Sequence, residues 1–278
     1  AKSFFDELQL GKQEAMIAEE ILKEINARIR LLNKIGVQQN DPQGVQRGMV
    51  VRCPGPNGSL MELDCRFQLC ACFCPVLAEI MKIYDISQEV LTCAVYPGDP
   101  VPQREILSSM DDGGGYNLSS LQMCCHNGTH IDAPAHFLKD GKTVDAIGLD
   151  AVVGMAYVAE HEGVVSEKDA AAILSRAREK SEDAAARILI KGDAEVSLEA
   201  AEVFAGAGIR LLGNESQSVG PVDAPMAVHK ALLSRGVVLL EGIRLSAAAE
   251  GVYLLNAAPL NIAGAEGSPC RAVLVDLP

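Results

Sequence analysis

The sequence predicts an α/β fold, and three observations lead there. From Met81 onward, short runs of Val, Ile and Leu alternate with helix-length segments, as strands interleaved with helices do. The 278 residues are 49% hydrophobic, enough to bury a sizeable core. No apolar run approaches the roughly 20 residues that span a bilayer.

Residues 1–36 read as an amphipathic helical extension, because Ile17, Ile21, Ile25, Ile29 and Leu32 recur at helical spacing with Glu, Lys and Arg between them. Such a stripe either docks on the body or pairs with a copy of itself. Residues 37–60 read as linker, with Asp41-Pro42-Gln43-Gly44 and then Pro54-Gly55-Pro56-Asn57-Gly58. The linker continues to residue 80 as a cysteine-rich segment, with Cys65, Cys70, Cys72 and Cys74 spaced C-x4-C-x-C-x-C. Without a second pair or a histidine, these read as packed thiols rather than a zinc knuckle. Met81 opens a freshly patterned segment and could be a natural start, so 81–278 is expected to be the main domain.

Within it, Lys82 to Ser87 alternates like a strand, Tyr96-Pro97-Gly98-Asp99-Pro100 is a rigid turn, and Gly113-Gly114-Gly115 is a loop. Leu118 to Cys125 reads as a strand, and so does Val152 to Ala159. Ser166 with Asp169 starts a helix that runs to Lys180. Ile188 to Ile190 is a strand. Ser197 opens a helix that ends before Gly206 and Gly208. Strand Ile209–Leu212, helix Met226–Ser234 and strand Val237–Leu240 follow, with Val252–Leu255 and Ala272–Val275 as the last strands.

The formal net charge is −13, and residues 81–278 carry most of it, with 15 Lys/Arg against 27 Asp/Glu. An acidic body repels phosphate backbones, which argues against nucleic acid and anionic membrane as partners. Nine cysteines, several of them adjacent, suit a reducing cytoplasm better than a disulfide framework.

The chemistry concentrates in Cys124-Cys125-His126-Asn127-Gly128-Thr129-His130-Ile131-Asp132-Ala133-Pro134-Ala135-His136-Phe137, which holds three of the five histidines. Imidazole and carboxylate are the ligands zinc prefers. Gly128 and Pro134 break helical periodicity, so the run reads as a strand end entering a tight loop whose side chains converge. A polar loop is the plainer alternative. His161 sits in a polar turn and reads as solvated. Glu241 closes an apolar strand twelve residues after His229, and it either emerges into solvent or points at a cation. Cys124 and Cys125 offer a rival nucleophile but read as small strand hydrophobes.

His126-Asn-Gly-Thr-His130-Ile-Asp132-Ala-Pro-Ala-His136 resembles the H-x-G-T-H-x-D-x-P-x-H signature of the cyclase family of metal-dependent hydrolases, which includes the bacterial kynurenine formamidases (arylformamidases) and isatin hydrolases. Tyr96-Pro97-Gly98-Asp99, His229 with Leu240-Glu241-Gly242, and Ala258-Pro259-Leu260 with Gly264 and Ser268-Pro269 extend the resemblance over residues 81–278. The resemblance implies a swivelling β/β/α domain, to which residues 1–36 add a helical extension. It implies two metal ions per subunit, usually zinc and in some members manganese. His126, His130 and Asp132 would hold the first ion. Asp132 would bridge to a second, joined by His229 and Glu241. His136 would act as general acid/base, and Tyr96 falls where formamidases place a substrate-contacting aromatic, usually tryptophan, which this chain lacks.

The resemblance also implies a homodimer or homotetramer acting on a small-molecule amide. The expected reaction is hydrolysis of N-formylkynurenine to kynurenine and formate, a step of tryptophan catabolism. A metal-bound hydroxide would attack the carbonyl, since one zinc can bring the pKa of water to about 7, and His136 would carry the proton to the leaving nitrogen. Hydrolysis of a cyclic amide such as isatin is the alternative, and a non-catalytic metal-binding assembly protein is another.

Overall fold

The computed structural model describes residues 50–54, 60–64 and 81–277. The helix expected over 1–36 and the cysteines from 65 to 74 lie outside these residues. The chain divides into two units, Ala1–Leu69 and Cys70–Pro278. In the first, β1 (Val50–Pro54) and β2 (Leu60–Asp64) pair antiparallel, with Val50 opposite Asp64. The linker expected over 37–60 therefore contains strands.

The second unit opens with β3 (Lys82–Asp85), the hairpin strands β4 (Gln103–Ser108) and β5 (Leu118–Gln122), and the short β6 (His130–Asp132). Helix α1 (Leu149–Val152), β7 (Val153–Glu160) and β8 (Gly163–Val165) precede α2 (Glu167–Lys180), β9 (Arg187–Lys191) and β10 (Ala194–Val196). Then come α3 (Leu198–Gly206), β11 (Leu211–Asn214), α4 (Met226–Leu233) and β12 (Val238–Glu241). The chain closes with β13 (Gly251–Asn256), β14 (Gly267–Pro269) and β15 (Val273–Asp276).

Nine strands form one sheet in the order β14-β6-β12-β11-β9-β7-β13-β15-β3. The four central strands β12, β11, β9 and β7 are parallel, linked through α2, α3 and α4, and antiparallel strands flank them on both sides. This is the predicted α/β class. Both faces of the parallel strands are buried, which is why they read as unbroken apolar runs. Tyr157, Ala159, Ile188, Ile190, Leu212 and Leu239 point into the core beneath the helices. Their alternates Ala156, Val158, Leu189, Leu211, Val238 and Leu240 point into a second core on the opposite face, with Ile243, Tyr253 and Leu274.

Helix α2 buries Ala170, Ile173, Leu174 and Ala177, one face at helical period, and starts with a full capping box between Ser166 and Asp169. Two departures from the sequence reading bear on the site. The first is the β4–β5 hairpin, whose first strand is exposed, with Ile106 and Leu107 adjacent, and so lacks the alternation that marks a half-buried strand. The second lies in the histidine run. His130–Asp132 is a fully buried strand inside the sheet, between β12 and β14, rather than part of a loop.

Arg187 opens β9 and is only 2% exposed. Its guanidinium donates to the carbonyls of Ala151 at 3.1 Å, Met155 at 3.0 Å and Asp150. Gly154 makes room for it: a Cβ there would lie 2.6 Å from the guanidinium, at a φ of +148°. Replacing Arg187 with Ala orphans three carbonyls at once. The expected loss is about 3 kcal/mol of unfolding free energy, read by urea denaturation.

Candidate metal centre

Strand register brings the site together. Antiparallel pairing of β6 with β12 sets His130 opposite Glu241, and pairing with β14 sets Asp132 opposite Gly267. Side chains alternate along a strand, so His130 and Asp132 share the helix-side face while Ile131 enters the second core. Helix α4 lies over that same face and lowers His229 onto it, while its Val228, Leu232 and Leu233 enter the helix-side core. Glu241 sits at the carboxyl end of a central parallel strand, where α/β sheets place their ligands.

The approach to β6 is pinned by small bonds. Gly128 takes a φ of +62° and donates its N–H to Ala94 O, and Thr129 Oγ1 donates to Gly242 O at 2.7 Å. After β6, Pro134 starts a single helical turn that ends on His136.

Among the described residues two groups could hold a metal ion, His126–His130–Asp132 and Asp132–His229–Glu241, and Asp132 belongs to both. Its two oxygens divide between them. Oδ1 lies 2.8 Å from His126 Nδ1 and 3.4 Å from His130 Nε2, while Oδ2 faces His229 Nε2 at 3.6 Å and His136 Nε2 at 3.8 Å. Glu241 spans the same divide, with Oε2 3.4 Å from His130 Nε2 and Oε1 3.1 Å from His229 Nε2. Oε1 also accepts the Val219 N–H at 2.7 Å.

These residues fit a metal. Asp132 is fully buried, and its Oδ2 has no hydrogen-bond partner, a costly state for a carboxylate oxygen unless a cation compensates it. His130 Nδ1 lies 3.0 Å from Gly128 O and His229 Nδ1 lies 2.9 Å from Pro225 O. A carbonyl only accepts, so both rings carry their proton on Nδ1 and turn Nε2 toward the carboxylates. Nitrogen lone pairs that face carboxylate oxygens require a cation, either a second proton or a metal. Within each group the nitrogen and oxygen atoms lie close enough to share one cation, all within 4.8 Å of one another.

Protonation follows the same logic. Burial disfavours the charged form of His130, but bonds to Asp132 and Glu241 outweigh it and hold its pKa well above the ordinary value. Burial likewise opposes ionisation of Asp132, yet bonds from His126 and His130 hold its carboxyl well below the usual range. His136 moves the other way. Burial lowers its pKa and the neighbouring His126 and His229 lower it further, against an opposing pull from Asp132. Its ring stacks on His126 at 4.1 Å, and Phe137 packs against both His136 and His229. With 28% of its side chain exposed, His136 is the most open imidazole of the group.

Of the residues singled out in the sequence, His126, His130, Asp132, His229 and Glu241 converge, with His136 at the rim. The open question at Glu241 closes: it is 2% exposed and inside the cluster. Tyr96 stands apart, its hydroxyl donating to Val222 O ahead of α4 rather than to any of the six. His161 is partly exposed, with Nε2 3.2 Å from Val164 O. Cys124 and Cys125 are half-buried, and burial pushes both thiols up, which suppresses the thiolate a nucleophile needs. Sequence reasoning missed Phe137 and Glu266. Phe137 adjoins the motif, but Glu266 reaches His126 from 140 residues away, from the bend just before a strand too short to foresee.

The fold and the site together define a metal-dependent hydrolase. The Cyclase family model ("Putative cyclase") matches residues 84–221. Over 205 residues the chain is 33% identical to a kynurenine formamidase of Erythrobacter litoralis, covering 71% of this chain and 95% of the relative. With the kynurenine formamidase of Bacillus cereus (strain ATCC 14579) identity is 35% over 202 residues, 68% of this chain and 95% of the relative. A solved structure titled "predicted metal-dependent hydrolase from Bacillus stearothermophilus" superposes with a TM-score of 0.59 at 28% identity, covering 70% of this chain and 98% of that one. Isatin hydrolase A from Labrenzia aggregata shares the fold with a TM-score of 0.63 at 21% identity, over 76% and 99% of the two chains. This chain belongs to the cyclase family of metal-dependent hydrolases.

Proposed function

We propose that this protein hydrolyses N-formylkynurenine to kynurenine and formate, with two zinc ions per subunit and manganese as the other candidate metal. The observation that carries the reading is Asp132, whose two oxygens serve two separate groups of ligands from a buried position. The similarity to kynurenine formamidases over nearly their full length supports the substrate class.

In this reading His126, His130 and Asp132 hold one ion, and Asp132, His229 and Glu241 hold the other. The nitrogen and oxygen donor set suits zinc. Bound ions of this kind supply Lewis acidity, which lowers the pKa of water and polarises a carbonyl oxygen. The chain's own work is orientation and proton transfer. Gly128 O and Pro225 O fix the tautomers of His130 and His229. His136, with its lowered pKa, is neutral near pH 7, so its Nε2 can take a proton from the attacking water. As the formyl C–N bond breaks, His136 returns that proton to the departing aryl nitrogen, and formate carries away the added oxygen. Tyr96, its hydroxyl held by Val222 O, takes the substrate-contacting role of the family's tryptophan in this reading.

The working form in this reading is a homodimer or homotetramer in the cytoplasm. The β4–β5 hairpin supports association. A lone two-stranded hairpin is marginal in water, and this one exposes Ile106, Leu107, Leu118 and Leu121, with Val101, Met110 and Tyr116 nearby. No helix among the described residues is long and apolar enough to cross a membrane.

Zinc-loaded protein should release kynurenine from N-formylkynurenine, and chelator treatment should abolish this. Turnover of isatin alone would move the substrate to the lactam class, and no turnover of either would overturn the reaction. His136→Asn should lower kcat by about 100- to 10,000-fold, the usual share of general acid/base catalysis, while zinc content stays at the wild-type value. Ile106 and Leu121 share one face of the hairpin, so Ile106→Lys with Leu121→Glu should shift the mass seen by light scattering to that of a monomer.

A further inference from the structure

His126 is held differently from the other two buried imidazoles. His130 and His229 turn Nδ1 to backbone carbonyls and present Nε2 inward. His126 is reversed. It presents Nδ1 to Asp132 Oδ1 at 2.8 Å and turns Nε2 outward to Glu266 Oε1 at 3.3 Å. The bend that leads into β14 delivers that carboxylate. Gly267 pairs with Asp132, and Glu266 O accepts the Ala133 N–H at 2.9 Å, which sets Glu266 beside the ring. A Cβ on Gly267 would fall 2.4 Å from His126 Cε1, so the imidazole packs directly against the β14 backbone while it also stacks on His136.

We propose that Glu266 is a positioning residue for His126: its carboxylate accepts the Nε2 proton and so keeps the Nδ1 lone pair directed at the metal centre. The inference rests on the metal reading above. A neutral imidazole carries one N–H, and a ring with no partner on Nε2 can place that proton on Nδ1, where Asp132 would accept it. A nitrogen that holds a proton ligates nothing. An anionic acceptor on the far nitrogen removes that choice and makes the near nitrogen a stronger donor. Glu266 is half exposed and solvent screens it, so it tunes His126 rather than holding the fold.

The test is zinc affinity by competition with a chromophoric chelator for wild type, Glu266→Ala and Glu266→Gln. Nitrogen-15 NMR of the histidines in the zinc-loaded protein accompanies it. Glu266→Ala should weaken one zinc site by about 10- to 100-fold, the range for outer-shell partners of metal-bound histidine. Glu266→Gln, whose amide oxygen still accepts but carries no charge, should fall between the other two, and wild-type His126 should carry its proton on Nε2. A role confined to the β14 backbone would affect both variants equally. Wild-type affinity in Glu266→Ala, equal losses in both variants, or a proton on Nδ1 of zinc-loaded His126 each overturns the inference and leaves the metal reading intact. A wild-type protein that binds no zinc overturns both.

Discussion

A fully buried carboxylate organises this molecule. Asp132 sits inside a nine-stranded sheet, with apolar side chains on the opposite face, where an isolated charge would be prohibitive. Its surroundings supply compensation from every side: His126 and His130 at one oxygen, His229 and His136 at the other. These partners come from the turn before β6, from β6 itself, from the turn after it and from α4. Their convergence requires the sheet order and the helix placement to be as they are. The two cores keep that geometry rigid, and the carboxylate gives it a purpose.

The sheet resolves a conflict between burial and chemistry through alternation. Along β6 and β12 the residues facing one way are Ile131 and Leu240, and they pack as hydrophobes. The residues facing the other way are His130, Asp132 and Glu241 at the end of the parallel strands, with α4 above them. A slip of one residue in the β6 register would exchange the two sets, putting isoleucine into the site and imidazole into the core. The register is therefore guarded from both sides, by Thr129 bonded to Gly242 O before the strand and by Ala133 bonded to Glu266 O after it.

Much of this was legible in the chain. Strands β7, β9, β11 and β12 announce themselves because burial on both faces leaves nothing but apolar residues, and α2 announces itself through Ser166 and its four-residue stripe. The candidate metal ligands in the histidine run stood out by residue type and spacing, and the resemblance to the cyclase family singled them out. Other features left no local trace. Strand β6 is three residues long between a glycine turn and a proline, so its pairing partners rather than its own sequence make it a strand. Strand β4 mixes polar residues with the adjacent Ile106 and Leu107 and is exposed along nearly all its length, so it shows no alternation. Glu266 is one acidic residue among many until β14 brings it beside His126, and the hydroxyl contact of Tyr96 with Val222 depends on a fold-level encounter that no spacing encodes.

The position of β6 has a consequence for how the protein is made. Its neighbours in the sheet, β12 and β14, both lie far downstream in the chain. During synthesis the histidine run leaves the ribosome first and waits for β12, complete at residue 241, on one edge and for β14, complete at residue 269, on the other. Contacts of such long sequence separation form late. The centre thus closes late, after the parallel strands and their helices have been made, and only the pairing of β15 with β3 and β13 waits for residues further downstream. Until then the imidazoles are available to any free cation in the surrounding solution, so metal can meet this protein on the nascent chain as well as on the finished fold.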